Sequence, residues 1–269
     1  MPFIAETKLA LRLPLAALAA LVLMLASCGD EGAAPLATRT VRVSKSLPID
    51  GSEGAPCCKV ELAVDKVAAG DSIGARINAE LAKMLFGMEG LAVEQAADSF
   101  ASRYVNENAA FLRPFYREDR DDPSKRGWYE YWYRLEASVC QPRDGFVACV
   151  ATREFFEGGA HSIKQKLAAN FERATGKPVG LDDVFVPGYR KRLEDRLLGL
   201  LMQKAGAANV QELRDKGYLY SSDMYASANF LLGSDGITFI YNPYEIAPYE
   251  LGMTELTIDY EDIDDIMKK

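Results

Sequence analysis

The chain has 269 residues, with 31 Lys and Arg against 39 Asp and Glu, a net charge of −8 and a single histidine. An acidic balance without clustered basic residues argues against nucleic acid as a partner. One histidine excludes a histidine-rich zinc centre, and no metal or cofactor is expected.

Lys8 and Arg12 precede an apolar run from Leu13 to Met24. That run is too short to cross a bilayer core of about 30 Å as a helix. A short apolar segment behind basic residues and ending in small ones reads as a secretory signal. Leu25-Ala26-Ser27-Cys28 has the form of a lipobox. The small residues admit a peptidase, and the Cys28 thiol takes the diacylglyceryl group; two or more acyl chains anchor stably. Residues 1–27 are thus expected to be removed and 28–39 to serve as a tether. The removed part holds Lys8, Arg12 and Glu6, a net +1, which turns −8 into −9. The expected location is a membrane surface facing the periplasm or the cell exterior. Gly29 after the lipidated cysteine favours the outer membrane, since an aspartate there can signal inner-membrane retention.

Thr40 to Leu47 and Cys57 to Val67 alternate apolar and polar residues and read as strands. Asp71 caps a helix whose apolar face is Ile73, Ile77, Leu81 and Met84 or Leu85. A second helix runs from about Leu91 to Phe111, and Glu118 to Arg126 is a charged loop. Gly127 to Cys140 is aromatic and strand-like. Alternation there places Tyr129, Tyr131, Tyr133 and Leu135 on one face, and Trp128, Glu130, Trp132 and Arg134 on the other. Phe146 to Phe156 returns as its partner, and His161 to Glu172 alternates again. Leu193, Leu197, Leu200 and Leu201 form a helical stripe within Val184 to Ala205. Ser227 to Leu232 and Ile237 to Tyr241 form a hairpin around Asp235-Gly236. Thr254 to Tyr260 is a last strand, and Asp262 to Lys269 is expected to fray. Hairpins without regular strand–helix alternation give an α+β fold, antiparallel sheet with helices packed on it.

Beyond Cys28 the cysteines are Cys57, Cys58, Cys140 and Cys149. An even count in an oxidising compartment favours disulfides. A two-residue type I′ turn at Asp144-Gly145 pairs Arg143 with Phe146, and so Cys140 with Cys149 at a non-hydrogen-bonded pair, where side chains come closest. A Cys140–Cys149 bridge is the expectation. Crossed pairs with Cys57 or Cys58, and free thiols, are the alternatives.

The C-terminal half carries a more specific pattern: Gly158-Gly159-Ala160-His161, Asn170-Phe171-Glu172, Thr175-Gly176-Lys177, Leu181-Asp182-Asp183-Val184-Phe185, and Ile237-Thr238-Phe239-Ile240-Tyr241-Asn242-Pro243-Tyr244-Glu245-Ile246-Ala247-Pro248-Tyr249. Together these resemble the extracellular domain of RsiV-type anti-sigma factors. That domain also stands beside peptidoglycan deacetylase domains and in bacterial lipoproteins of unknown role. The resemblance spans roughly residues 40 to 260. It is densest from Gly158 onward, dividing the chain into an N-terminal part at 40–157 and an RsiV-like part at 158–269. It implies an extracytoplasmic α+β module that in the anti-sigma members binds lysozyme. No catalytic residues come with it. A lipobox replaces the spanning helix of those members, so signalling through a cytoplasmic segment is not expected.

Several motifs allow a chemical reading. Gly70-Asp71-Ser72-Ile73-Gly74 matches the G-x-S-x-G elbow, though a capped helix accounts for the same letters. Glu154 and Glu157 offer paired carboxylates, as any acid-rich chain does. The binding candidates are Trp128 and Trp132 on one strand face, His161 after its glycines, and Tyr244, Glu245 and Tyr249 in a loop stiffened by two prolines. The expected function is a non-enzymatic, lipid-anchored binding module. Its ligand would be a lysozyme-like wall-active protein or a cell-wall glycan such as peptidoglycan. A structural envelope lipoprotein and a hydrolase are the competing readings.

Overall fold

A computed structural model describes residues 36–68 and 72–269. Cys28, the signal segment, most of the tether and the Asp71 cap lie outside the described residues.

Strands β1 (Thr38–Pro48) and β2 (Cys57–Val67) form an antiparallel pair. Their alternation sends Cys58, Val60, Leu62 and Val64 inward. Helices α1 (Ser72–Phe86) and α2 (Val93–Asp119) follow and cover that face. Ile77, Leu81 and Leu85 of α1 are buried at helical spacing, and Ala96, Ala97, Ala101 and Ala109 let α2 lie close to the sheet. The α1–α2 crossover returns the chain parallel to β2, so β3 (Trp132–Cys140) makes the one parallel pairing among the described residues. Strands β4 (Phe146–Phe156), β5 (Ile163–Glu172) and β6 (Pro178–Val179) complete a six-stranded sheet in sequence order. Helices α3 (Leu181–Val184), α4 (Arg190–Ala205) and α5 (Val210–Asp215) lead to a three-stranded antiparallel sheet of β7 (Phe230–Leu232), β8 (Gly236–Tyr241) and β9 (Thr254–Asp259). The fold is α+β. No helix among the described residues is long and apolar enough to cross a membrane.

Two hydrophobic cores result. One lies between β1–β5 and the α1–α2 pair; the other unites α4, the second sheet and the C-terminal residues. The division at residues 157 and 158 falls between β4 and β5, which are neighbours in one sheet.

The sheets are joined by amide side chains acting as strand backbone. Asn170, 2% exposed, donates to the Phe230 carbonyl at 2.8 Å and accepts from the Leu232 N–H at 3.0 Å. Asn229 accepts from Ala168 N–H and donates to the Lys166 carbonyl; Asn242 does the same for Lys166 alone. Two asparagines thus satisfy the edge of β5, and a third, Asn170 of β5, satisfies the facing edge of β7.

Four expectations need correction. First, the Cys140–Cys149 bridge is absent and both thiols are free. Gly145 adopts φ 77°, but Asp144 does not join it at positive φ as a type I′ turn requires. The register shifts by one, setting Cys140 opposite Ala148 and Cys149 opposite Val139. A one-residue slip puts the two cysteines on opposite faces. Second, α2 runs through exposed Pro114 to Asp119, held by Leu112 in the core and by Arg113 Nε donating to the Ile49 carbonyl at 2.8 Å. Third, Pro123–Tyr129 is a 3-10 turn, not strand. Asp122 caps it by accepting from Ser124 N–H, and Tyr129 turns inward to donate to Asp119 at 2.6 Å. Fourth, the tail does not fray. Tyr260–Ile266 is a 3-10 helix with Ile263 and Ile266 wholly buried, and Lys268 N–H donates to the Val184 carbonyl.

Burial pushes the Cys58 thiol up to about 11, and the Cys149 thiol up to about 12. A raised pKa removes the thiolate that alkylates. Burial also raises the Cys140 thiol, so iodoacetamide at pH 8 should label half-exposed Cys57 first, then Cys140, and Cys58 and Cys149 only after denaturation, as read by peptide mass spectrometry. A second outcome concerns the join. Asn170→Ala leaves two buried backbone groups unpaired and should lower stability by about 2–4 kcal/mol in urea unfolding.

Candidate functional site

The second sheet presents a cleft of about 360 Å³ between two irregular segments, 217–222 and 244–248. The second segment leaves β8 through Asn242 and Pro243. Asn242 N–H donates to Glu245 Oε2 at 3.0 Å, Glu245 N–H donates to the Asn242 carbonyl, and Tyr244 N–H donates to the Ala247 carbonyl at 2.9 Å. These bonds force Tyr244 to φ 73°. Facing it, Leu219 N–H donates to the Ile246 carbonyl at 2.7 Å, with Leu219 at φ 53°. Leu219 and Tyr244 are the two non-glycine residues at positive φ among the described residues. Each such position costs about 1–3 kcal/mol and clusters at functional sites. Here one lies on either side of the same cleft.

The lining is tyrosine-rich. Tyr220 is 86% exposed and Tyr244 61%. Glu245 sits between the segments and takes a long contact of 3.5 Å from the Tyr225 hydroxyl. Burial first, then the Glu245 charge, raise the Tyr225 pKa, so the phenol stays protonated. Tyr225 in turn is held edge-on against buried Tyr241, whose hydroxyl donates to the Tyr225 carbonyl at 2.6 Å.

Four of the expected residues assemble here. His161 stacks on Tyr249 at 3.6 Å and 11°, and Tyr249 lies 6.0 Å from Tyr244, giving a row of three rings beside Glu245. The His161 Nδ1 lies 3.0 Å from the Ser162 carbonyl. Gly158 and Gly159 take φ 83° and 97°, which makes the turn that delivers His161, and a Cβ at Gly158 would meet the Tyr131 hydroxyl at 3.0 Å. Trp128 and Trp132 do not join this row and do not share a face with each other. Trp128 projects from the 3-10 turn, 60% exposed, with Lys125 5.8 Å above its ring. Trp132 opens β3 opposite Phe156 and packs under Arg134 at 4.7 Å.

The serine-elbow reading does not assemble. Ser72 starts α1, whose first turn abuts Gly176; a Cβ there would lie 2.8 Å from the Ile73 carbonyl oxygen. Gly176 follows the end of β5, whereas His161 precedes its start. The length of β5 separates them by about 30 Å. Glu154 accepts from Ser162 at 2.7 Å, and Glu157 faces the Tyr104 and Tyr131 phenols, each of whose pKa burial raises and the Glu157 charge raises further. Asp182 and Asp183 are structural: Asp183 caps α3 through Gly180 N–H, and Asp182 accepts from the Tyr189 hydroxyl at 3.0 Å. Leu219, Tyr220 and Tyr225 escaped the sequence reading; the only signal was the run Tyr218-Leu219-Tyr220-Ser221-Ser222 between α5 and β7.

Residues 182–261 match the family described as Protein of unknown function (DUF3298). The matched segment contains both walls of the cleft. The chain is also similar to the crystal structure of a DUF3298-family member from Bacteroides fragilis, at TM-score 0.79 and 28% identity, covering 87% of this chain and 94% of that one. A DUF3298-family protein from Pseudomonas aeruginosa aligns at TM-score 0.60 and 20% identity over 87% of this chain and 95% of that one, a likeness of fold. No curated protein matches the sequence.

Relief of strain gives a direct check on the cleft. Tyr244→Gly removes a side chain from left-handed backbone, so its strain relief offsets the entropy cost of glycine, about 1 kcal/mol. Thermal unfolding should show the variant as stable as the parent within about 1 kcal/mol; a clear loss would mean that Tyr244 serves packing rather than recognition.

Proposed function

We propose that the protein is a non-enzymatic, lipid-anchored extracytoplasmic binding module that captures a basic wall-active protein of the lysozyme type through the tyrosine cleft. The observation that carries this reading is the pair of strained residues, Leu219 and Tyr244, bracketing a groove lined by exposed Tyr220, Tyr244 and Glu245. Strain of this kind preorganises a surface, and preorganised tyrosines supply contact area at low entropic cost. The RsiV-type resemblance implies a lysozyme ligand, and one of its motifs, Ile237 to Tyr249, supplies one wall through residues 244–248. The net charge of −8 steers a cationic protein towards the molecule.

Export and lipidation at Cys28 place the cleft where such a partner is met. Pull-down with lysozyme should succeed at low salt and weaken at high salt. The Tyr220→Ala/Tyr244→Ala double variant should lose capture by about tenfold or more, as truncated aromatic anchors do. Absence of capture at low salt removes the lysozyme assignment.

A further inference from the structure

The six-stranded sheet has a second surface. Helices α1 and α2 cover one face; over β1–β3 the opposite face is open to solvent. The register fixes what it displays. Arg42, Lys59 and Arg134 are balanced there by Glu61, Asp65 and Glu136, three charges of each sign, and Glu130 at the border is paired with Arg126 at 3.5 Å. Arg134 Nε lies 3.1 Å from Glu61 Oε2, and Asp65 accepts from Thr40 at 2.6 Å. Ser44, Ser46, Ala63 and Ser138 add small or hydroxylic side chains. In a chain of net charge −8 this face is locally neutral.

Two depressions of about 410 and 220 Å³ lie on it side by side and share Glu61 and Arg134. The smaller holds Trp132, whose indole is kept in place by the Arg134 guanidinium at 4.7 Å. From Trp132 to Glu136 along β3 is about 13 Å at strand rise, more than one sugar ring spans.

We propose that this trough binds an oligosaccharide laid across β1–β3, seated against the half-buried Trp132 indole and the Arg134 guanidinium stacked on it. Charge complementarity selects the occupant. Local neutrality gives no advantage to a polyanion or a strongly charged peptide. The face outside Trp132 lacks the apolar area that a folded partner's core patch would need. A dense array of carboxylates, guanidinium and hydroxyls beside one indole suits a neutral polyhydroxyl chain, whose C–H faces pack on the ring while its hydroxyls bridge the charged pairs. The proposal goes beyond the cleft, which lies on the other sheet, and stands or falls independently of lysozyme capture.

The chain contains two tryptophans, so Trp128→Phe leaves Trp132 as the sole indole reporter. Triacetylchitotriose titrated into this full-length variant should shift Trp132 emission saturably. Adding Glu61→Gln with Arg134→Gln should weaken the affinity about tenfold, the scale of losing one or two good contacts. Both side chains are more than half exposed, 61% and 59%, so the circular dichroism melt should not move. The proposal is overturned if millimolar sugar leaves the emission unchanged in folded protein, if the double substitution leaves the affinity intact, or if amide shifts fall on the tyrosine cleft instead of β1–β3. Displacement of the sugar by a charged tripeptide would also overturn it, by assigning the trough to peptide.

Discussion

The arrangement of this molecule depends on how one strand edge is closed. β5 has β4 on one side and only the two-residue β6 on the other. The rest of its edge would offer unpaired N–H and C=O groups, the usual template for unwanted pairing. Asn229 and Asn242 close it with side-chain amides, and Asn170 reaches out from β5 to pair the Phe230 carbonyl and the Leu232 N–H of β7, each amide matching a donor and an acceptor. A buried amide is favourable only when both ends are used, and here they are. The Lys166–Glu255 pair at 2.9 Å spans the same seam. Two sheets with separate cores are held in one fixed relation by this polar hinge line.

The cleft inherits its shape from that join. Asn242 is both the last clamp on β5 and the first residue of the loop that carries Tyr244 and Glu245. Its side chain fixes the loop's root while its backbone N–H and carbonyl fix the Glu245 position. Ile246, 4% exposed, anchors the far end and ties in Leu219. The left-handed turns at Leu219 and Tyr244 persist because their surroundings over-determine them. Rigid backbone beneath exposed tyrosine rings is a suitable basis for recognition.

Much of this was legible in the sequence where periodicity decides. The alternation in Cys57–Val67 and Phe146–Phe156 gave both strands to the residue, and of the stripe Leu193, Leu197, Leu200 and Leu201 all but half-buried Leu200 lie fully buried. What failed were positions decided by a single backbone angle or by tertiary contact. Asp-Gly signalled a hairpin correctly at 144–145 but not its turn type, and one residue of register moved a cysteine to the wrong face. In the other hairpin Ser234 and Asp235 form the loop, and Gly236 already belongs to β8, where a Cβ would come within 3.0 Å of the Asp259 Cα. Aromatic richness at 127–131 suggested strand, but an Asp-Pro-Ser cap prevailed. The acidic tail offered no sign that Ile263 and Ile266 would be core. Of the site, the Asn242–Tyr249 loop and His161 were visible as motif residues; the opposing wall was not, because nothing in Leu219 announces a left-handed turn.

The same asparagine clamps have a bearing on biosynthesis. β5 ends at residue 172, yet two of its edge partners stand at 229 and 242, and the second core waits for residues as late as Ile266. While the intervening stretch is still emerging, the first sheet can assemble but carries an unsealed flank. Nascent chains at that stage are therefore the form most in need of a chaperone.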